Sequence, residues 1–385
     1  MKRLIFSEIF PPRKGGSGRW FYEVYSRLSK ENHIVCTGYC EGDNAFDSTC
    51  GMNIIRLNLS MPEWGLKSFR GLKDYIRIFF HVRKIIKKEM ISSIHCGRSM
   101  PEGLVCYLIS KLSKVPYLCY VHGEEIATYE HSRELVFLSK LIFRESKAII
   151  VNSNNSKEIM LNYVPDCKEK IHVLNPGVDS SYFSPAPFDP MIRKKHGWYG
   201  RKVVLTVGRL QKRKGHDYTI TAISKIKKEF PDILYSIIGD GEELPYLKDL
   251  TKQLNMEKYV QFIGETDDKT LLECYQQCDL FILANRNVNG DIEGFGMVLV
   301  EAQCCGKAVI AGDSGGTKET MIPCKTGMIV DSEQPDVIAE SILTLLKDDQ
   351  KLVSMGENGY KWVRENLDWN SLVKKTIDLF ADLKL

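Results

Sequence analysis

Thirteen short apolar runs, alternating with helical patterns, place this 385-residue chain in the α/β class as two doubly wound parallel-sheet domains. Two further observations support that reading. Among the runs, Val203–Val207 is a continuous β-branched run that reads as a buried parallel strand. The runs also fall into two series, separated by a loose stretch with three prolines from Val178 to Pro190.

The first series is Leu4–Phe6, Ile34–Cys36, Ile54–Arg56, Ser93–Cys96, Pro116–Val121, Ala148–Val151 and Ile171–Leu174. The second is Val203–Val207, Leu234–Ile238, Val260–Ile263, Leu280–Leu283, Ala308–Ala311 and Gly327–Val330. Length suits two domains of ordinary size, and 43% hydrophobic residues suffice to fill their cores. A net charge of +4, without any basic repeat interleaved with aromatics, does not support a nucleic-acid role. No secretory pattern precedes the strand Lys2–Phe6 and no run of eighteen apolar residues occurs, so a cytosolic protein is expected. The twelve cysteines, Cys96, Cys106, Cys119, Cys304 and Cys305 among them, sit in apolar segments without a C-x-x-C pair. They read as small core residues and not as a disulfide framework or a zinc site.

Two stretches carry chemistry. Gly208-Arg209-Leu-Gln-Lys212-Arg213-Lys214-Gly215 follows the buried run Val203–Val207, which puts Arg209 and Lys214 past the carboxyl end of a parallel strand, where open α/β sheets bind ligands. Arginine grips phosphate oxygens bidentately and lysine adds a point charge. The second stretch, Glu293-Gly294-Phe295-Gly296-Met297 through Glu301, sets two carboxylates eight positions apart around a glycine turn that leads into a helix. Amides at that helix start favour a phosphate, whereas two carboxylates repel one unless they face neutral hydroxyls. A diphosphate flanked by two polyols, a nucleotide sugar, satisfies both demands. An ordinary strand-to-helix turn with a solvated glutamate also fits this pattern.

Three weaker features lie in the first half. Pro11-Pro-Arg-Lys-Gly15-Gly16-Ser-Gly18 leads into a helix from Trp20, and its amides can reach a phosphate, although it lacks a G-x-G-x-x-G spacing and a Walker lysine. His122 ends an apolar run. Between Glu63 and Lys88 a cationic helix is expected, with Leu72, Tyr75, Ile76, Phe79 and Ile86 on its apolar side and Lys73, Arg77, Lys84 and Lys88 on the other. Such a helix suits an anionic membrane surface, or is the solvated face of an ordinary domain helix.

With these motifs the chain resembles glycosyltransferase family 4, retaining enzymes of the GT-B fold, and most of all its bacterial mannosyltransferase members. The family's G-R-x-x-x-x-K-G is Gly208 to Gly215, and its pair of glutamates is Glu293 and Glu301. Gly15-Gly16, His122 in Val-His-Gly, Asn152-Ser153, Asn175 to Asp179 and Gly239 to Glu242 agree as well.

The resemblance implies two Rossmann-like domains facing each other across a cleft. An acceptor-side domain would span 1–178, a nucleotide-sugar domain 179–365, and a last helix, 366–385, would return to the first domain. It also implies roles: Arg209 and Lys214 on the diphosphate, Glu293 on the sugar and Glu301 on the ribose. His122 would meet the sugar, Gly16, Gly208, Gly294, Phe295, Gly296 and Met297 would line the donor, and Ile263 would lie by the base. No Asp-x-Asp pair is present to hold a metal against the diphosphate, so neither metal nor other cofactor is expected. The implied reaction is a front-face substitution in which the leaving phosphate takes the acceptor's proton. The donor is expected to be GDP-mannose and the acceptor lipid-linked or a glycan, with the protein peripheral on the inner face of the cell membrane. A UDP-sugar transferase, a GT-B sugar-nucleotide epimerase and a degenerate nucleotide-sugar or lipid-surface binding protein are the rival readings.

Overall fold

In the computed structural model residues 2–13 and 15–384 are described, except for the side chain of Glu124, so Lys14 of the glycine-rich loop lies outside the described residues. Contacts divide the chain into two compact units, one comprising the residues up to Pro176 with those from Trp369 onward, the other Gly177–Asp368.

The first unit is built on seven strands, β1 (Arg3–Ser7), β2 (His33–Gly38), β3 (Ile54–Leu57), β4 (Ser93–Cys96), β5 (Tyr117–Val121), β6 (Ala148–Val151) and β7 (Ile171–Val173). They form one parallel sheet in the order β3-β2-β1-β4-β5-β6-β7. The second unit has β8 (Lys202–Val207), β9 (Ile233–Ile238), β10 (Val260–Gly264), β11 (Leu280–Leu283), β12 (Val309–Gly312) and β13 (Gly327–Val330), in the order β10-β9-β8-β11-β12-β13. Strand order reverses between β1 and β4 in the first sheet and between β8 and β11 in the second. In open parallel sheets such reversals leave a crevice at the carboxyl ends of the strands.

Continuous apolar runs are needed because both faces of each sheet are covered. In the second unit Val204 and Ile282 pack into one core, while Val203, Leu205, Phe281 and Leu283, their neighbours along the same strands, pack into another on the opposite face. Each such side chain contributes about 1.5–3 kcal/mol when fully buried, and a polar residue there needs a partner, as Thr206 has in Ile282 C=O at 2.6 Å.

The structure corrects two details of the sequence reading. The Val178–Pro190 stretch is not loose: Val178 and Phe183 are buried in the second unit's core, and Val178 N–H donates to Leu367 C=O at 2.9 Å. Asp189 closes the stretch as an N-cap, accepting from the Met191 and Ile192 amides at 2.8 and 3.2 Å, with Pro190 at the first helical position. In the helix Phe69–Glu89, the core takes Tyr75, Ile78, Val82 and Ile86, whereas Leu72, Ile76 and Phe80 join Phe69 in an exposed stripe. The expected apolar side is thus split, because the sheet selects a single line at three- and four-residue spacing. Arg77 is not a free cation on this helix: it pairs with Asp74 at 2.9 Å and donates to Asn58 C=O at 2.6 Å.

The last helix, Trp369–Asp382, packs within the first unit, where the Phe380 ring lies 4.6 Å from that of His95 and 6.5 Å from that of Tyr25. Among the described residues no helix is long and apolar enough to cross a membrane.

Candidate functional site

Four loops leave the carboxyl ends of strands at or next to the second unit's crevice. They follow β8 (Gly208–Gly215), β9 (Gly239–Glu242), β11 (Ala284–Gly296) and β12 (Asp313–Thr320). Their glycines allow contact from backbone to backbone. A Cβ on Gly215 would stand 1.8 Å from Ala284 C=O, and one on Gly315 would stand 1.9 Å from Glu293 C=O. Both residues have φ near +70°, where a side chain is strained as well as crowded. A substitution at either would push two of the loops apart.

The loops after β8 and β11 meet through charge. Lys214 Nζ lies in direct contact with Glu293 Oε2, and Arg213 Nη1 donates to the same oxygen at 2.6 Å. Arg213 also pairs with Asp291 through Nε at 3.0 Å. Lys214 and Glu293 are both buried. Burial pushes the Glu293 carboxyl up, but Lys214 and then Arg213 outweigh it and hold it below its usual range. Gly316 N–H donates to Glu293 C=O at 2.9 Å, which fixes the main chain behind the carboxylate. A buried, bidentate pair between Arg286 and Asp217, at 2.7 and 2.8 Å, ties the loop after β11 to the start of the helix His216–Ile226, with the Arg286 guanidinium 4.1 Å from the Tyr218 ring centroid.

Arg209 is exposed in the loop after β8, and Gly208, adjacent, would direct a Cβ to within 3.9 Å of Lys214 Nζ. Behind the Glu293 turn the helix Met297–Cys304 begins at Gly296, at φ 94°, and no side chain caps it. Gly294 and Met297 are half-buried and Phe295 is in the core. Glu301 is buried one helical turn or more along, where it accepts a hydrogen bond from Tyr275 Oη at 2.7 Å. Ile263 is half-buried at a bulge, where the register between β10 and β9 shifts between Phe262 and Gly264.

In the first unit, Gly16 opens the helix Gly16–Ser26, and two rings from that helix, Trp20 and Phe21, pack edge-on against His122 at 5.6 and 5.9 Å. The structure therefore packs the helix that follows the glycine loop against His122. The His122 amide donates to the Glu125 carboxylate at 3.0 and 3.1 Å, and its carbonyl accepts from Asn152 Nδ2 at 3.1 Å. Its Nε2 is buried without a hydrogen-bond partner among the described residues.

Sequence reasoning missed Arg213, Asp291, Tyr275 and the Asp217–Arg286 pair. Arg213 stood in the basic run but had no feature to distinguish it from a solvated neighbour. The rest pair across about 70 residues or belong to a separate helix, and no local spacing reports such contacts. Among the described residues no group of histidine, cysteine, aspartate and glutamate has the arrangement to hold a metal ion.

The chain matches two family models, one described as Glycosyltransferase Family 4 over residues 14–182 and one as Glycosyl transferases group 1 over residues 189–362. It is 28% identical, over 97% of each chain, to the GDP-mannose-dependent alpha-(1-6)-phosphatidylinositol monomannoside mannosyltransferase of Mycobacterium tuberculosis. To the enzyme of the same name from Mycolicibacterium smegmatis it is 25% identical over 98% of each chain. Among solved structures, Anabaena HepE in complex with UDP and glucose superposes with a TM-score of 0.83 at 20% identity, covering 99% of each chain. At that identity the likeness is one of fold.

Proposed function

We propose, on the premise that the chain belongs to glycosyltransferase family 4, that it moves mannose from GDP-mannose to a lipid-linked or glycan acceptor with retention at the sugar carbon. One observation carries the reading of the site: the buried contact of Lys214 with Glu293 at the strand-order reversal between β8 and β11. Lys214 and Arg213 balance Glu293 and Asp291 in charge, and Arg209 stands exposed beside them. The diphosphate is assigned to Arg209 and Lys214. Sugar hydroxyls, which are neutral donors, are assigned to Glu293, and ribose hydroxyls to Glu301. Gly16 would offer an amide to the diphosphate, His122 would meet the sugar, and Ile263 would lie against the base.

The chemistry follows from where charge grows. The bond from the sugar carbon to phosphate oxygen breaks while the acceptor oxygen bonds to that carbon on the same face, and the acceptor's proton passes to the departing phosphate. Positive charge fixed at the diphosphate stabilises that departure. Losing one preorganised donor of this kind typically costs about 2.7–4 kcal/mol.

The choice of mannose rests on the curated relatives, both named for GDP-mannose. The test is release of free nucleotide from GDP-mannose and from UDP-glucose, with and without a lipid extract. Turnover of GDP-mannose that needs acceptor is expected. Preference for UDP-glucose would overturn the donor, and no turnover of either would overturn the reading of the site.

The helix Phe69–Glu89 is proposed to lie on anionic lipid. Its exposed stripe of Phe69, Leu72, Ile76 and Phe80 is flanked by exposed Lys73, Lys84, Lys87 and Lys88. Apolar side chains can enter the interface, and each lysine near its surface adds about 1 kcal/mol. The relatives' names, which give a phosphatidylinositol monomannoside as acceptor, agree with that placement.

A further inference from the structure

We propose that Arg213 is a positioning residue for the reaction, holding the Glu293 carboxylate where it meets the donor sugar and so separating intact donor from free nucleotide; this rests on the sugar-binding reading of Glu293. Arg213 is fixed at both ends to the loop that carries Glu293. Its carbonyl accepts from the Arg286 amide at 2.8 Å, and its guanidinium reaches Glu293 at 2.6 Å and Asp291 at 3.0 Å. Ordering a long side chain in this way is entropically unfavourable. A merely solvated arginine has no compensation for it, whereas the Arg213 side chain, only 11% exposed, makes one ion pair with buried Glu293 and a second with half-exposed Asp291.

Lys214 and Arg213, the latter anchored by Asp291, both contact Oε2, which leaves Oε1 for a hydroxyl group. Two neighbouring acids are taken by other cations: Asp217, at the start of the helix His216–Ile226, by Arg286, and Asp313 by Lys318 at 2.6 Å. The cations in contact with Glu293 are Arg213 and Lys214.

The experiment compares Arg213→Gln, Arg213→Lys and Glu293→Gln in the full chain, with GDP-mannose kinetics, GDP calorimetry and a pH profile of kcat/KM. Arg213→Gln should lower kcat/KM roughly 10- to 100-fold while leaving GDP affinity unchanged. Its acidic limb should move to higher pH, because Glu293 loses one of the two charges that favour ionisation. Arg213→Lys should recover part of the loss. Unchanged GDP affinity also shows that the variants fold. Wild-type kcat/KM in Arg213→Gln, beside a large loss in Glu293→Gln, would overturn the role of Arg213 alone. A parallel loss of GDP affinity in Arg213→Gln would overturn it too. No loss in Glu293→Gln would overturn the reading of Glu293 and the proposal with it.

Discussion

Tyr275 and Glu301, on different helices and both buried, share a 2.7 Å hydrogen bond in which the phenol donates to Glu301 Oε2. One carboxylate oxygen is thereby fixed by the protein while the helix Met297–Cys304 sets the direction of the side chain. Removing the phenolic hydroxyl with Tyr275→Phe should weaken GDP binding about tenfold, since a hydrogen bond to a charged group contributes about 1.5–3 kcal/mol. Calorimetry with GDP measures this. An unchanged Kd would show that Glu301 does not depend on Tyr275 for its orientation.

Arg209 and Lys214 should separate in stability though not in turnover. Alanine at either should reduce turnover at least about a hundredfold. Arg209 is exposed, so its loss should leave the urea midpoint unchanged. Lys214 is buried on Glu293, and breaking a buried pair typically costs about 3–5 kcal/mol. Equal midpoints in the two variants would contradict the burial argument.

Acid should weaken the second unit through His216. Burial first, then Lys214 and Arg286, lower its pKa from 6.5 to about 4, and its Nδ1 lies 3.1 Å from Tyr235 Oη. The folded state thus prefers neutral histidine. The stability this confers is full above pH 6.5 and is lost as pH falls toward 4, up to roughly 3 kcal/mol in all. Urea melts of the wild type and of His216→Gln at pH 7 and pH 4.5 should show a shallower loss in the variant. Identical pH slopes would assign the acid sensitivity elsewhere.

Vesicle binding should follow the exposed residues of the helix Phe69–Glu89 and not its whole basic complement. Lys73, Lys84, Lys87 and Lys88 changed to serine should abolish co-sedimentation with anionic vesicles, and Leu72→Ser with Phe80→Ser should weaken it at every salt concentration. Arg77→Ser should alter it least, because Arg77 is held by Asp74 and Asn58. Unchanged binding in the quadruple lysine variant would return the helix to an ordinary solvated role.

Excess chelator should leave the rate of nucleotide release unchanged, because the charge on the departing diphosphate is assigned to Arg209, Lys214 and main-chain amides. Restoration of a lost rate by magnesium or manganese would refute that assignment.

The strands and the glycine-bearing loops were legible in the sequence because their determinants are local. Val203 to Val207 reads as buried on both faces from its own composition, and Gly208 and Gly296 mark turns where they stand. Three things were not legible, each for the same reason. The face that the helix Phe69–Glu89 presents to the core is chosen by the sheet, which selects Tyr75 over Ile76. The Val178–Pro190 stretch looks like a linker by its prolines, yet Phe183 has a cavity to fill that other segments create. Arg213 differs from Lys212 only in what the loop after β11 brings to it.

Because Phe380 completes the packing around Tyr25 and His95, the first unit needs residues from both ends of the chain. As the ribosome delivers it, that unit waits with an unfinished core while the entire second unit, Gly177–Asp368, is synthesised. The second unit has its strands in one uninterrupted segment and can close first. Truncation before Trp369 should therefore harm the first unit, although the residues removed follow the second unit in the sequence.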